Sequence, residues 1–197
     1  MREVELKSVV DDVEASRAAV ERAGGELEYQ GRLIDLRYGD AAGELLLKDH
    51  VLRLRVYDSA SGQSGFLDWK GPTQYENGYK IREELSTPLA DPDAMKQILE
   101  NLGYSVILEI ERSIWQYRLA RCAVRFEVYP RMDSLVEVEG SPESIEAAIE
   151  LIGLDRSGFT SDRLNEFMAR YELRTGQRAA LSGRELAGEY HFRPTNS

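Results

Sequence analysis

Strand-length segments in which apolar and charged side chains alternate recur along this chain, and they constrain its fold more than any other feature. Side chains of a β-strand point to opposite faces in turn, so residues two apart share a face. "MREVELKSVV" would put Glu3, Glu5 and Lys7 on one face and Val4 and Leu6 on the other. In "VLRLRVYD" Arg53 and Arg55 stand opposite Leu52, Leu54 and Val56, and in "FLDWKGP" Asp68 and Lys70 stand opposite Leu67 and Trp69. "YKIREEL" sets Lys80, Arg82 and Glu84 against Tyr79, Ile81 and Leu85, with Glu83 as the exception. "VRFEVYP" pairs Arg125 with Glu127, and "SLVEVEG" pairs Glu137 with Glu139, backed by Val136 and Val138.

An antiparallel sheet with one wetted face also produces such a pattern, and a lone "EVEG" strand is more often a solvated face than a metal site. The number of these strands, and the like charges at spacing two, weigh the other way, because neighbouring like charges repel and solubility does not require them. A sheet curled into a barrel, polar face inward and apolar face covered by helices, satisfies the pattern. Its lumen would gather Lys7, Arg53, Arg55, Lys70, Arg82 and Arg125 with Glu3, Glu5, Glu84, Glu127, Glu137 and Glu139. So many charges cannot be buried dry, so hydration or a ligand must engage them.

The remaining elements fit that plan. Strands are expected at about 2–10, 26–38, 51–58, 64–71, 78–86, 104–119, 121–130 and 133–139, between clusters of Gly, Pro, Asp and Ser. Helices are expected near 11–23, over "ADPDAMKQILENLG" with Asp91 as N-cap, over "GSPESIEAAIELIGL", and near 161–173. Their apolar stripes should pack on the outside of the barrel, and any exposed remainder could support a homodimer. The boundaries are one domain at 1–173 and a polar tail at 174–197, expected to be loosely packed or partner-dependent.

Composition narrows the chemistry. Cys122 is the single cysteine, which excludes an intrachain disulfide and a cysteine-built zinc site, and only His50 and His191 are available for histidine chemistry. The formal net charge of −10 argues against binding a nucleic-acid polymer but permits a locally basic cavity. No apolar run is long enough for a membrane span and no secretory signal is evident, so a cytoplasmic location is expected. Arginine forks and lysine ammonium groups suit a line of phosphate oxygens. Carboxylates without His or Cys suit a hard divalent cation, Mg²⁺ or Mn²⁺. Together they describe a nucleotide or polyphosphate site with no Gly-rich phosphate loop.

On these residues the chain resembles the CYTH, or triphosphate tunnel metalloenzyme, superfamily. The family's N-terminal ExExK strand is matched by Glu3-Val4-Glu5-Leu6-Lys7. "LRLR", "WKGP", "IREEL", "ERSIW" and the E-x-E of "LVEVEG" follow in order, and "FTSDRLNEFM" is similar to the family's C-terminal helix. The resemblance implies an α+β fold: an eight-stranded antiparallel β-barrel, the triphosphate tunnel, with a charged lumen and flanking helices. It implies metal at Glu3, Glu5, Glu137 and Glu139, with Glu127 at a further acidic position, and triphosphate at Lys7, Arg53, Arg55, Lys70, Arg82 and Arg112. By strand parity Arg125 joins the phosphate-binding set. Glu84, placed to orient a water or a basic side chain, and Lys7 are the catalytic candidates.

The activity implied is metal-dependent hydrolysis of the terminal phosphate of ATP, thiamine triphosphate or inorganic triphosphate. The alternatives are a class IV adenylyl cyclase, forming cyclic AMP and pyrophosphate, and a non-catalytic polyphosphate-binding module. Two departures bear on substrate identity. Relatives often carry Lys just before the Arg of the "R-x-x-W/Y" segment, where this chain has Glu111 before Arg112. Either the alignment slips there, Glu111 points away, or substrate handling differs. Asp35 matches an acidic position that usually precedes an aromatic residue, but Leu36 follows it here.

Overall fold

Side-chain alternation becomes barrel curvature in the computed structural model, which describes residues 2–190, with the side chains of Arg2 and Glu3 outside the described part. The strands are β1 (Arg2–Val9), β2 (Glu26–Asp40), β3 (Val51–Ser59), β4 (Gly62–Lys70), β5 (Gln74–Glu76), β6 (Tyr79–Leu89), β7 (Tyr104–Leu119), β8 (Cys122–Val128) and β9 (Leu135–Glu139). They pair antiparallel in the order β1-β9-β8-β7-β2-β3-β4-β6, and β6 returns to β1 through the register Glu3↔Arg82 and Glu5↔Lys80. The expected eight-stranded barrel is therefore closed, and the short β5 adds an extra strand on β6.

Helices cover the apolar outer face. Helix α1 (Val13–Arg22) and helix α4 (Pro142–Ile152) lie over Leu6, Tyr117, Val124, Phe126, Val136 and Val138. Helix α3 (Pro92–Asn101) brings Leu99 and Met95 against Leu54, Val56 and Leu67. Helix α5 (Leu164–Thr175) is the exception: it packs Phe167 and Met168 against Leu108, Ile110 and Leu135, residues on the lumen-facing side of β7 and β9. Burying side chains of this size is worth roughly 1.5–3 kcal/mol each, so the outer layer, not the charged lumen, supplies the main driving force. The predicted cap Asp91 accepts a backbone N–H at 2.9 Å, as Asp12 does at the start of α1, and Ser141 accepts one at 3.2 Å at the start of α4.

The C-terminal segment differs from expectation. Ala179, Ala180 and Leu181 are buried, and Leu181 accepts the Glu111 N–H at 2.7 Å while Ala180 and Arg131 exchange backbone bonds. Polar flanks hide this short apolar stretch from a composition reading, and the tail is packed through helix α6 (Gly183–Leu186). Helix α2 (Glu44–Leu47), β5 and α6 were too short for a periodicity signal. Among the described residues, no helix is long and apolar enough to cross a membrane.

Candidate active site

The lumen holds a cavity of about 690 Å³. Glu5 and Lys7 of β1, Arg53 and Arg55 of β3, Lys70 of β4 and Arg82 and Glu84 of β6 line it. Arg112 of β7, Arg125 and Glu127 of β8, and Glu137 and Glu139 of β9 complete the predicted set. Glu3 stands opposite Arg82 in the β1–β6 register, and its side chain lies outside the described residues. Among the described residues, ten basic and eight acidic side chains line the cavity, an excess of positive charge in a chain of net charge −10.

One network spans β2, β3, β4, β6 and β7. Asp35 Oδ2 accepts from Arg112 Nη1 at 3.1 Å and from Arg53 Nη1 at 3.4 Å. Arg53 also reaches Asp68 at 3.0 Å, as Arg55 does at 2.5 Å. Glu84 lies 3.1 Å from Lys70, 3.3 Å from Arg55 and 3.5 Å from Arg53, so it orients three basic side chains. Burial pushes the Asp35 carboxyl up, but Arg112, Arg53 and Arg55 outweigh it and hold Asp35 ionised well below the usual range.

A second network centres on β1, β8 and β9 and draws in Lys80 of β6 and Arg112 of β7. Lys7 Nζ lies 2.6 Å from Glu137 and 2.9 Å from Glu5, while Lys80 bonds Glu5 and Arg125 bonds Glu137. Burial disfavours the Lys7 ammonium, yet Glu137, Glu5 and Glu127 overcome that and raise its pKa, so Lys7 is a fixed cation and not a base. Glu127 accepts from Arg112 at 2.8 Å, Arg125 at 3.2 Å and the Tyr129 hydroxyl at 2.6 Å. Burial opposes its ionisation, but Arg112, Arg125 and Lys7 bring its pKa to about 2.

Three further placements define the walls of the cavity, and the first decides the alternatives left open at Glu111. Glu111 points out of the lumen: its Oε2 accepts the Gly183 N–H at 3.0 Å and lies 2.8 Å from Arg32. The inward positions of β7 are Leu108, Ile110 and Arg112, so the departure at Glu111 puts no negative charge into the lumen beside its arginines. Arg82 is held by carbonyls, donating to Gly71 O at 2.7 Å and Asp49 O at 2.6 Å. His50 lines the cavity edge-on to Trp69, with ring centroids 5.0 Å apart, and Trp115 packs outside the lumen beneath the Arg17 guanidinium.

Arg37, Lys80 and Arg163 also line the cavity and were not among the predicted site residues. Parity carried the signal for two of them: Arg37 is two residues from Asp35 in "RLIDLRYG", and Lys80 is two from Arg82. Arg163 precedes α5, and only the tertiary fold brings it to the lumen, where it pairs with Asp49 at 3.2 Å. One side of the cavity is aliphatic. Leu45 and Leu46 come from α2, Leu164 and Met168 from α5, and Ile107 from β7 at the point where the β2–β7 register slips between Arg37 and Tyr38.

The carboxylates suit a divalent cation in donor type. Glu5 and Glu139 are direct cross-strand partners, and both line the cavity beside Glu137. No group of three or more His, Cys, Asp or Glu forms a ready cage among the described residues. Mg²⁺ is commonly held by one or two carboxylates plus substrate phosphates and water, which a Glu5–Glu139 pair fits.

The family model for the CYTH domain matches residues 1–147. No curated protein matches the chain by sequence. Among solved structures, a candidate adenylate cyclase from Vibrio parahaemolyticus is 19% identical with a TM-score of 0.72, covering 85% of this chain and 97% of its own. A Pyrococcus horikoshii protein is 20% identical with a TM-score of 0.70, covering 85% and 98%. A candidate adenylyl cyclase from Hippeastrum, described as having a dominant triphosphatase activity, is 16% identical with a TM-score of 0.62, covering 92% and 98%. At these identities the likeness is one of fold.

Proposed function

The chain belongs to the CYTH domain family, and from that premise we propose that it is a divalent-metal-dependent triphosphatase acting on a triphosphate bound in the barrel lumen. One observation carries this reading: basic side chains project into one cavity from seven of the eight barrel strands, a distribution that follows a chain of phosphates better than a single anion. Lys7, Arg53, Arg55, Lys70, Arg82, Arg112 and Arg125 bind the non-bridging oxygens. Glu84 and Glu127 hold these cations in place, so they neutralise developing charge with little reorganisation. In the reaction a water oxygen bonds to the terminal phosphorus, the bond to its bridging oxygen breaks, and the shortened phosphate leaves with the electron pair. Glu5 and Glu139, with Glu3 and Glu137, would hold Mg²⁺ or Mn²⁺, which when bound neutralises phosphate charge and orients the chain.

The aliphatic side formed by Leu45, Leu46, Ile107, Leu164 and Met168 favours a substrate that carries an organic group, and so supports a second reading, cyclisation of a nucleoside triphosphate. Incubating ATP, thiamine triphosphate and inorganic triphosphate with Mg²⁺ or Mn²⁺, against a chelator control, separates the two on anion exchange. Orthophosphate is the expected product. Cyclic AMP with pyrophosphate would instead establish the cyclase.

A further inference from the structure

Arg37 faces the cavity from β2, and its direct cross-strand partners are Arg53 on β3 and Leu108 on β7. One neighbour is therefore a like charge and the other is apolar. Arg53 is neutralised by Asp35, Asp68 and Glu84, and Asp35 is shared with Arg112. Arg37 makes no ion pair among the described residues, and its buried Nε has no hydrogen-bond partner. Each of the other basic residues around the lumen pairs with a carboxylate, as Lys7 does with Glu137 and Lys70 with Glu84.

A guanidinium kept in such a place is costly to the empty protein. Like charges directly opposite on adjacent strands destabilise a sheet, and a buried polar group without a partner adds to the penalty. Burial, followed by repulsion from Arg53, lowers the Arg37 pKa to about 10 despite the attraction of Asp35. An anion bound between Arg37 and Arg53 would remove both penalties. The planar fork of arginine matches phosphate oxygens, and Leu108, the β7 partner of Arg37, packs in one apolar cluster with Leu164, Phe167 and Met168 of α5, which sets Arg37 towards the α5 side of the cavity.

We propose that Arg37 is a further phosphate-binding residue, holding the phosphate group of the ligand that lies at the α5 end of the lumen. This rests on the polyphosphate reading above and adds to it a residue, a direction along the tunnel and a dependence on chain length.

The test is calorimetric titration of wild type, Arg37→Met and Arg37→Lys with inorganic triphosphate, pyrophosphate and orthophosphate in chelator, with thermal melts of the ligand-free proteins. The expected result is a triphosphate Kd at least tenfold weaker in Arg37→Met, a smaller change for orthophosphate, partial recovery in Arg37→Lys, and a ligand-free melting temperature equal to or above that of wild type. Unchanged triphosphate affinity in Arg37→Met would overturn the inference alone. So would a drop in ligand-free melting temperature with equal losses for all three anions, since that marks a structural role. Failure of wild type to bind triphosphate would instead overturn the polyphosphate reading, and this inference with it.

Discussion

Asp35 Oδ2 lies 3.1 Å from Arg112 Nη1, between strands β2 and β7, and both side chains are buried. Arg53 leans on the same oxygen, so Asp35 joins the cluster in which Glu127 also holds Arg112 to the one in which Asp68 and Glu84 also hold Arg53. Asp35→Asn removes the charge while keeping the shape, and takes the shared carboxylate from two buried guanidinium groups, leaving Arg112 with Glu127 and Arg53 with Asp68 and Glu84. Urea denaturation should show a loss of about 3–5 kcal/mol, the usual result of breaking a buried pair from one side. A loss below about 1 kcal/mol would mean that water already solvates the pair.

Acid should weaken the protein through the same clusters. Glu127 ionises with a pKa of about 2 in the folded protein, against about 4.3 for an unfolded chain. Its contribution is complete above the unfolded value and is lost as pH falls towards the folded one, about 3 kcal/mol in all. Urea midpoints should be flat from about pH 7 to pH 5 and fall between about pH 4 and pH 2. Glu127→Gln should start less stable and fall less steeply; an identical slope would remove Glu127 as a cause.

How far these features can be read from sequence depends on range. Alternation at spacing two is local, and it was enough to place Glu5, Lys7, Arg53, Arg55, Arg125 and Glu137 around one lumen. Which carboxylate neutralises which cation is set by strand register. Lys7 meets Glu137 across β1 and β9, 130 positions apart, and Glu84 on β6 serves three cations on two other strands, β3 and β4. Glu111 shows the limit: the sequence left open whether it replaces a family lysine in the lumen or points away, and what decides is that neighbours in a strand face opposite ways and that its partner Gly183 lies in a segment whose composition reads as a loose tail.

Glu111→Ala therefore has a specific expected profile. It should lower stability by about 1–2 kcal/mol through loss of the Gly183 hydrogen bond and the Arg32 contact, while kcat/KM for the preferred triphosphate stays within about twofold of wild type. A large gain in affinity would place Glu111 within reach of the phosphates after all.

The thiol of Cys122 is buried against the outer layer, and burial, assisted by Glu139, pushes its pKa up to about 11. At pH 7.5 the native protein should react with iodoacetamide at least 100 times more slowly than the urea-unfolded chain, because little thiolate exists and access is closed. Fast labelling of the native state would show that the β8–β9 region opens locally.

Glu5 links the fold to the chemistry, since its carboxylate pairs with Lys7 and Lys80 and stands opposite Glu139. Glu5→Gln should reduce metal-dependent turnover by at least about 100-fold, with no recovery at higher substrate. Recovery by excess Mg²⁺ alone would mean that Glu5 only tightens metal binding, and full activity would take Glu5 out of the site.

The most direct test of attack by water on a terminal phosphate is turnover in ¹⁸O-labelled water, with ³¹P NMR and mass analysis of the products from ATP and inorganic triphosphate. The account predicts one ¹⁸O in the released orthophosphate and none in the diphosphate product, in a reaction that stops when chelator is added. Label at the α-phosphorus, or pyrophosphate released from ATP without label, would contradict it.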